Sequence, residues 1–142
     1  MTYSLLILQK TVFDRLSAVS AVTSLLAAGA ASIFDYVKQD SVFPYIVIGE
    51  HTGIMDGDKV KTGQDCTVTI HVFTKGRGRK ETQTIMKAVV EALDRQESTM
   101  TAAGFEIVLC NFEFSDIFID TEDDSNFYPH GVLRFRFLMR EA

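Results

Sequence analysis

Cysteine is scarce in this sequence, with two residues, Cys66 and Cys110, among 142. Both sit inside apolar runs, and a lone pair at that spacing is neither a disulfide framework nor a zinc pattern. They read as reduced core thiols. No Pro/Ser-rich linker, internal repeat or low-complexity tract divides the chain, so it reads as one domain of ordinary size. Positive charge is in deficit. The 14 Lys and Arg stand against 19 Asp and Glu, leaving a formal charge of −5, which excludes a strong general attraction to nucleic-acid phosphates. What the chain has in quantity is apolar surface: 46% hydrophobic residues, 11 of them Phe. That composition excludes a disordered chain. A chain this long hides roughly two-thirds of its extended surface, enough for a core without staples.

One stretch imitates a targeting signal. Residues 16–34 carry no charge, follow Lys10 and Arg15, and contain Ala28-Gly29-Ala30. The run is nevertheless rich in Ala, Ser and Thr rather than Leu, and an apolar patch at 5–8 precedes the charges. Cleavage would also remove an amphipathic helix. Neither export nor a membrane span is expected, and a bacterial cytoplasm is the implied compartment.

Periodicity gives the order of elements. Leu5, Leu8, Val12 and Leu16 predict a helix over 4–18, and a shorter one is expected over 21–28, capped by Gly29. Residues 33–38 and 43–50 are β-rich, separated by a turn-like patch at 39–41, with Pro44 at the start of the second. The polar segment 51–64, with Gly53, Gly57 and Gly63, predicts a loop or a long, open hairpin tip. In 65–73, Cys66, Val68, Ile70 and Val72 alternate with polar residues, so one strand face is buried. Ile85, Val89 and Leu93, widened by Met86 and Ala92, predict the strongest helix, over 79–95, with Glu91 placed to pair with Arg95. Strands are expected at 105–114 and 132–140. In the last, Leu133, Phe135, Phe137 and Met139 face one way, and Arg134, Arg136 and Arg140 the other. Those arginines are expected to pair with Glu106 or Glu113. The fold class is α+β: two layers, a mostly antiparallel sheet of four to five strands, and two main helices packed on one face.

Few residues invite chemistry. The turn Lys75-Gly76-Arg77-Gly78-Arg79-Lys80 precedes a helix, where backbone N–H groups hold anions. It fails the phosphate-loop spacing and lacks the third glycine of the dinucleotide fingerprint, so it reads first as a solvated turn. His51, Asp56, Asp58 and His71 fall short of a metal pattern, and the histidines read as surface residues. No nucleophile elbow or cysteine-protease signature is present, and buried thiols are inert. No catalytic, cofactor-binding or metal site is assigned. The acidic run Glu113, Asp116, Asp120, Glu122, Asp123 and Asp124 reads mainly as a solvated loop, with Ile117, Phe118 and Ile119 docking part of it. The sharper alternative is a loop that folds on a partner or presents negative charge to a DNA channel.

Several segments, in order, resemble the tail-terminator proteins (tail-completion or head–tail joining proteins) of long-tailed phages and gene transfer agents. They are an N-terminal helix leading to Ile33-Phe34-Asp35, then Phe43-Pro44-Tyr45-Ile46-Val47-Ile48-Gly49, and Ile70-His71-Val72-Phe73-Thr74. A glycine-arginine turn then opens a helix ending Val90-Glu91-Ala92-Leu93, and His130-Gly131-Val132-Leu133-Arg134-Phe135-Arg136 closes the series. The resemblance spans nearly the whole chain. It implies a non-enzymatic virion protein at the head-proximal end of the tail, made in the host cytoplasm. Such a protein forms a homohexameric ring on the last ring of the tail tube, ends tube growth and docks the head connector or stopper. Its implied partners are itself, the tail tube protein and that connector, with DNA passing the lumen without specific binding. It implies no cofactor and no membrane. Candidate assembly or lumen contacts are Asp56, Asp58, Lys59, Lys61, Arg77, Arg79, Phe118, Asp120, Glu122, Asp123 and Asp124, within loops expected at 51–64 and 115–129. A ring needs two different contact surfaces, and the aromatics at 112–118 are candidates. Other readings are a tube or baseplate subunit and an anion- or ligand-binding domain centred on the turn at 76–80. A nucleic-acid role would rest on Arg134, Arg136 and Arg140, against the net charge.

Overall fold

A computed structural model describes residues 4–36, 40, 42–57, 62–121 and 126–142. Among these residues, five strands form one sheet: β1 (Ile33–Phe34), β2 (Tyr45–Met55), β3 (Gly63–Phe73), β4 (Phe105–Thr121) and β5 (Phe127–Glu141). Their spatial order is β1-β2-β3-β5-β4. Only β1 and β2 run parallel, and every other pairing is antiparallel. Among the described residues, three α-helices accompany them: α1 (Ser4–Ala18), α2 (Ser20–Thr23) and α3 (Lys80–Leu93). The α+β expectation of a mostly antiparallel sheet under two main helices matches this architecture.

The core lies between the long helices and one face of the sheet. Leu8, Val12 and Leu16 recur every four residues along α1, and Ile85, Val89 and Leu93 do so along α3; all six are fully buried. They meet Val68, Ile70 and Val72 of β3 and Leu133, Phe135, Phe137 and Met139 of β5. Each such side chain stabilises the fold by about 1.5–3 kcal/mol relative to exposure. The same alternation pins the register of β3 against β5 from Gly63↔Arg140 to Phe73↔His130, since a one-residue slip would turn the arginines inward. Cys66 and Cys110 are free and buried. Burial pushes both thiols up, and Cys110 donates its S–H to the Leu93 carbonyl.

Several expectations are corrected. The helix at 21–28 shrinks to α2, followed by turns and a 3-10 turn, Gly29–Ser32, that Gly29 opens with φ +59°. Tertiary bonds draw this backbone out of the helix: Ala27 N–H donates to the Pro44 carbonyl and Ala28 N–H to Ser32 Oγ. The strand expected at 33–38 is β1 alone, and residues 37–39 and 41, which hold most of the turn patch, lie outside the described residues. The loop reading of 51–64 gives way to the hairpin reading, because β2 runs to Met55 and β3 begins at Gly63. A bulge between Ile48 and His51 breaks the two-residue period there, which hides the strand from pattern reading.

The acidic run is likewise strand rather than loop up to Thr121. β4 carries two bulges, at 107–109 and 112–114, and is an edge strand, so its alternation is interrupted twice and never strongly polarised. β5 begins at Phe127, five residues ahead of the expected start. Glu91 pairs with Lys87 at 3.9 Å instead of with Arg95. α3 ends at Leu93, and Arg95 has left the helix at φ +58°. Arg134 does reach Glu113 at 3.2 Å. Arg136 turns the other way, to Asp65 of β3 at 2.7 Å, and Arg140 stands opposite Glu106.

Candidate assembly surfaces

The sheet face turned away from the helices carries a cross-strand aromatic row. Strand register places Tyr45, Phe73, His130 and Phe118 side by side on β2, β3, β5 and β4. Their ring centroids are 5.0, 4.2 and 4.5 Å apart along the row. Phe43 and Phe34 extend it past Tyr45 at 5.2 and 5.8 Å. Offset and edge contacts at such spacings add about 0.5–1.5 kcal/mol per pair beyond burial. The row is shielded at one end, where Tyr45 is buried, and open at the other, where Phe118 is 42% exposed.

Against it lies a polar chain. His71 Nδ1 and His130 Nε2 are 2.7 Å apart, and His71 Nε2 lies 2.9 and 3.1 Å from the two Glu50 oxygens. With both rings neutral, the arrangement assigns itself. His71 donates from Nε2 to Glu50, so its Nδ1 accepts from His130 Nε2–H. Asp120 stands 3.7 Å from His130 Nδ1. Burial, then the neighbouring His71 charge, holds His130 below the ordinary histidine range, against the pull of Asp120 and Glu50. Burial alone would raise the Glu50 carboxyl, but hydrogen bonds from His71 and its own amide, with the imidazole charges, bring it below its usual value. The bulge at Gly49 makes room for this chain. A β-carbon there would come within 2.7 Å of the His71 ring.

Toward the other end of this face the arginines act as clasps. Arg136 binds Asp65 through Nε and an Nη at 2.8 and 2.7 Å, a two-point contact. The Arg136 hydrogen bond keeps the Asp65 carboxyl below its usual range despite some desolvation. Arg134 reaches Glu113 and lies over the Phe114 ring at 5.3 Å.

The β4 edge departs from ordinary surface composition. Val108, Phe112, Phe114 and Phe118 are each 36% exposed or more, interleaved with Glu106, Glu113, Asp116 and Asp120. Aromatic enrichment of this kind marks protein interfaces, and an edge of 17 residues offers ladder groups to a partner. The β2–β3 hairpin projects a second apolar point, with Ile54 70% and Met55 57% exposed. The turn at 75–80 is exposed throughout, with Arg77 over the Phe127 ring at 5.2 Å and Lys75 over Tyr128 at 6.0 Å.

The residues singled out from sequence separate into groups. Phe118 and Asp120 join the histidine chain, Arg77 and Arg79 lie on the exposed turn, and Asp56 sits beyond the hairpin strand at Met55. Asp58, Lys59, Lys61, Glu122, Asp123 and Asp124 lie outside the described residues. His71 and His51 are not surface histidines. His71 is largely enclosed, and His51 faces the helix side opposite Val68, with a buried Nε2 that has no hydrogen-bond partner among the described residues. The two rings point to opposite sides of the sheet. Among the described residues, no three His, Cys, Asp or Glu side chains converge to hold a metal. No described helix is long and apolar enough to cross a membrane. Sequence reading missed the Glu50–His71–His130 chain. Its signal was the polar-face position of His71, but the bulge hid the strand parity of Glu50.

The family described as tail completion protein gp17 matches residues 10–140. The chain belongs to that family. It is a structural component of the phage-tail class, as the resemblance read from its segments anticipated. The tail completion protein gp17 of Bacillus phage SPP1 is 29% identical over 99 residues, covering 70% of this chain and 69% of that protein. A solved chain from the virion of a native gene transfer agent particle shares the fold, with a TM-score of 0.83, 19% identity, and 99% of each chain covered. The family match begins inside α1 and ends one residue short of the end of β5, so it takes in α3 and all but the last residue of the sheet on which the aromatic row and the β4 edge are built.

Proposed function

We propose that this chain folds as one domain that caps the tail tube as a homohexameric ring, ends tube polymerisation and joins the tail to the head connector. The family match over residues 10–140 carries the reading, and the likeness to a chain of a gene transfer agent virion agrees with it. The surfaces support it physically. A ring of identical subunits needs two unlike lateral surfaces and two axial ones, and the chain exposes apolar side chains on two separate elements, the β4 edge and the hairpin tip at Ile54 and Met55. The part played is assembly rather than catalysis. Its partners are further copies of itself, the tail tube protein and a connector or stopper protein, at the head-proximal end of the tail. The acidic residues of β4 suit a wall that DNA passes without sticking, since like charge repels phosphate.

Electron microscopy of particles made without this gene tests the reading. Over-long tubes lacking heads are the expected outcome. Normal tails on normal heads would remove it, and short or absent tubes would favour a tube or baseplate subunit instead.

A further inference from the structure

The helical layer covers the sheet unevenly. α1 packs on β2 and β3, and α3 packs on β3, β5 and the first part of β4. Beyond that, Phe112, Ser115 and Ile117 of β4 line an open groove of about 610 Å³ with Met86 and Val90 of α3. Arg79 and Asp116 stand at its margins. At the opposite edge of the sheet, beside β1, α1 carries a second apolar stripe. Leu6 and Phe13, seven positions and about two turns apart, are 67% and 39% exposed. Leu8, Val12 and Leu16 already serve the core, so the interior gives no reason for Leu6 and Phe13. Lys10 and Asp35 lie beside this stripe.

We infer that the Leu6–Phe13 stripe of one copy seats in the α3–β4 groove of the next, and that this contact closes the ring. The inference rests on the ring reading above and names its lateral interface. A closed ring of identical subunits requires two unlike, mutually fitting patches on opposite sides, and these two patches lie at the β1 and β4 ends of one sheet. The groove calls for a helix. It runs along α3 over a bare strand face, and a neighbour's α1 set beside α3 would continue the helical layer across β4 in the way α1 and α3 already cover the other strands. This is an amphipathic helix laid in an apolar groove, read through residues two turns apart. Charge fits as well: Lys87 and Glu91, which also line the groove, pair with each other at 3.9 Å, and of its other two charges Arg79 would meet Asp35 and Asp116 would meet Lys10.

Particles carrying Leu6→Cys together with Gln83→Cys, both exposed positions and the second lining the groove, test the pairing. Oxidation should convert the subunit into a ladder of multimers ending at one closed species, with no ladder from either single variant. Tails of normal length whose double-variant subunits stay monomeric after oxidation would overturn this pairing and leave the ring reading standing. Normal headed tails in particles without the gene would overturn both. Leu6→Asp gives a second readout: the melting temperature of the free chain should hold while the subunit is lost from particles. Undiminished incorporation of that variant would overturn the pairing.

Discussion

On the helix side of the sheet, Val68, Ile70, Val72, Leu133, Phe135, Phe137 and Met139 have almost no exposure, whereas the opposite faces of the same strands carry Thr67, Thr69, His71, Phe73, His130, Arg134 and Arg136. The covered face gains stability from non-directional burial, in which volume matters more than geometry. The open face is held by directed contacts: a ring row, a two-histidine chain and two arginine clasps. Its side chains are fixed relative to one another although no second layer among the described residues presses on them. A face fixed in that way offers a partner preorganised aromatic and charged groups, with less ordering left to do on contact.

Substitutions should separate the two faces by size of effect. Phe135→Ala empties fully buried volume between the helices and the sheet, and should cost about 3–5 kcal/mol, read from urea unfolding. A cost below that of Phe73→Ala would break the distinction. Gly49→Ala puts a β-carbon against the His71 ring and the Thr69 carbonyl. Displacing the ring from Glu50 and His130 should cost about 1–3 kcal/mol, and a combined Gly49→Ala, His71→Ala variant should recover part of it.

The histidine chain makes the open face sensitive to acid. His130 titrates below its unfolded value, so between the two values the unfolded chain binds a proton that the native chain refuses. Stability should therefore be complete above the ordinary histidine range, about pH 6.5, and fall as pH drops through it. His51, also held low by burial, adds to the same trend. His130→Phe keeps a ring in the row and should flatten this slope, as measured by unfolding midpoints at several pH values. An unchanged slope would remove His130 as its source. The smallest effect belongs to the clasp between Arg134 and Glu113. A double-mutant cycle should give about 0.2–1 kcal/mol, shrinking as salt is added. A coupling that salt leaves untouched would mean the pair acts through the Phe114 contact instead.

The covered face was legible in the sequence because a buried face imposes strict periodicity. Every inward residue expected on β3, β5 and α3 lies there, and α1 has the expected limits. The open face was not, since nothing buried forces its pattern. The bulge after Ile48 shifts the parity of Glu50 and His51, so 51–64 read as either a loop or a hairpin tip, and only the outer part of β4, past the stretch 105–114 that read as a strand, was taken for an acidic loop. Arg136 took Asp65 because register on β3 brought that carboxylate opposite, and register is not contained in either strand alone. The Arg134 contact with Phe114 is likewise a product of pairing across strands, and the Arg77 contact with Phe127 depends on where the turn before α3 meets β5.

The strand latest in the chain lies inside the sheet: β5 is flanked by β3 on one side and β4 on the other. On a ribosome, β2 and β3 can zip as a hairpin early, but β3 must keep its other edge open while α3 and β4 are made. Only when β5 emerges do both gaps close at once. Until then the chain exposes unpaired strand edges and the apolar face of β3, a state prone to sticking. A nascent subunit of this topology therefore cannot finish its sheet, and with it the β4 edge, before synthesis has passed the last residues of β5.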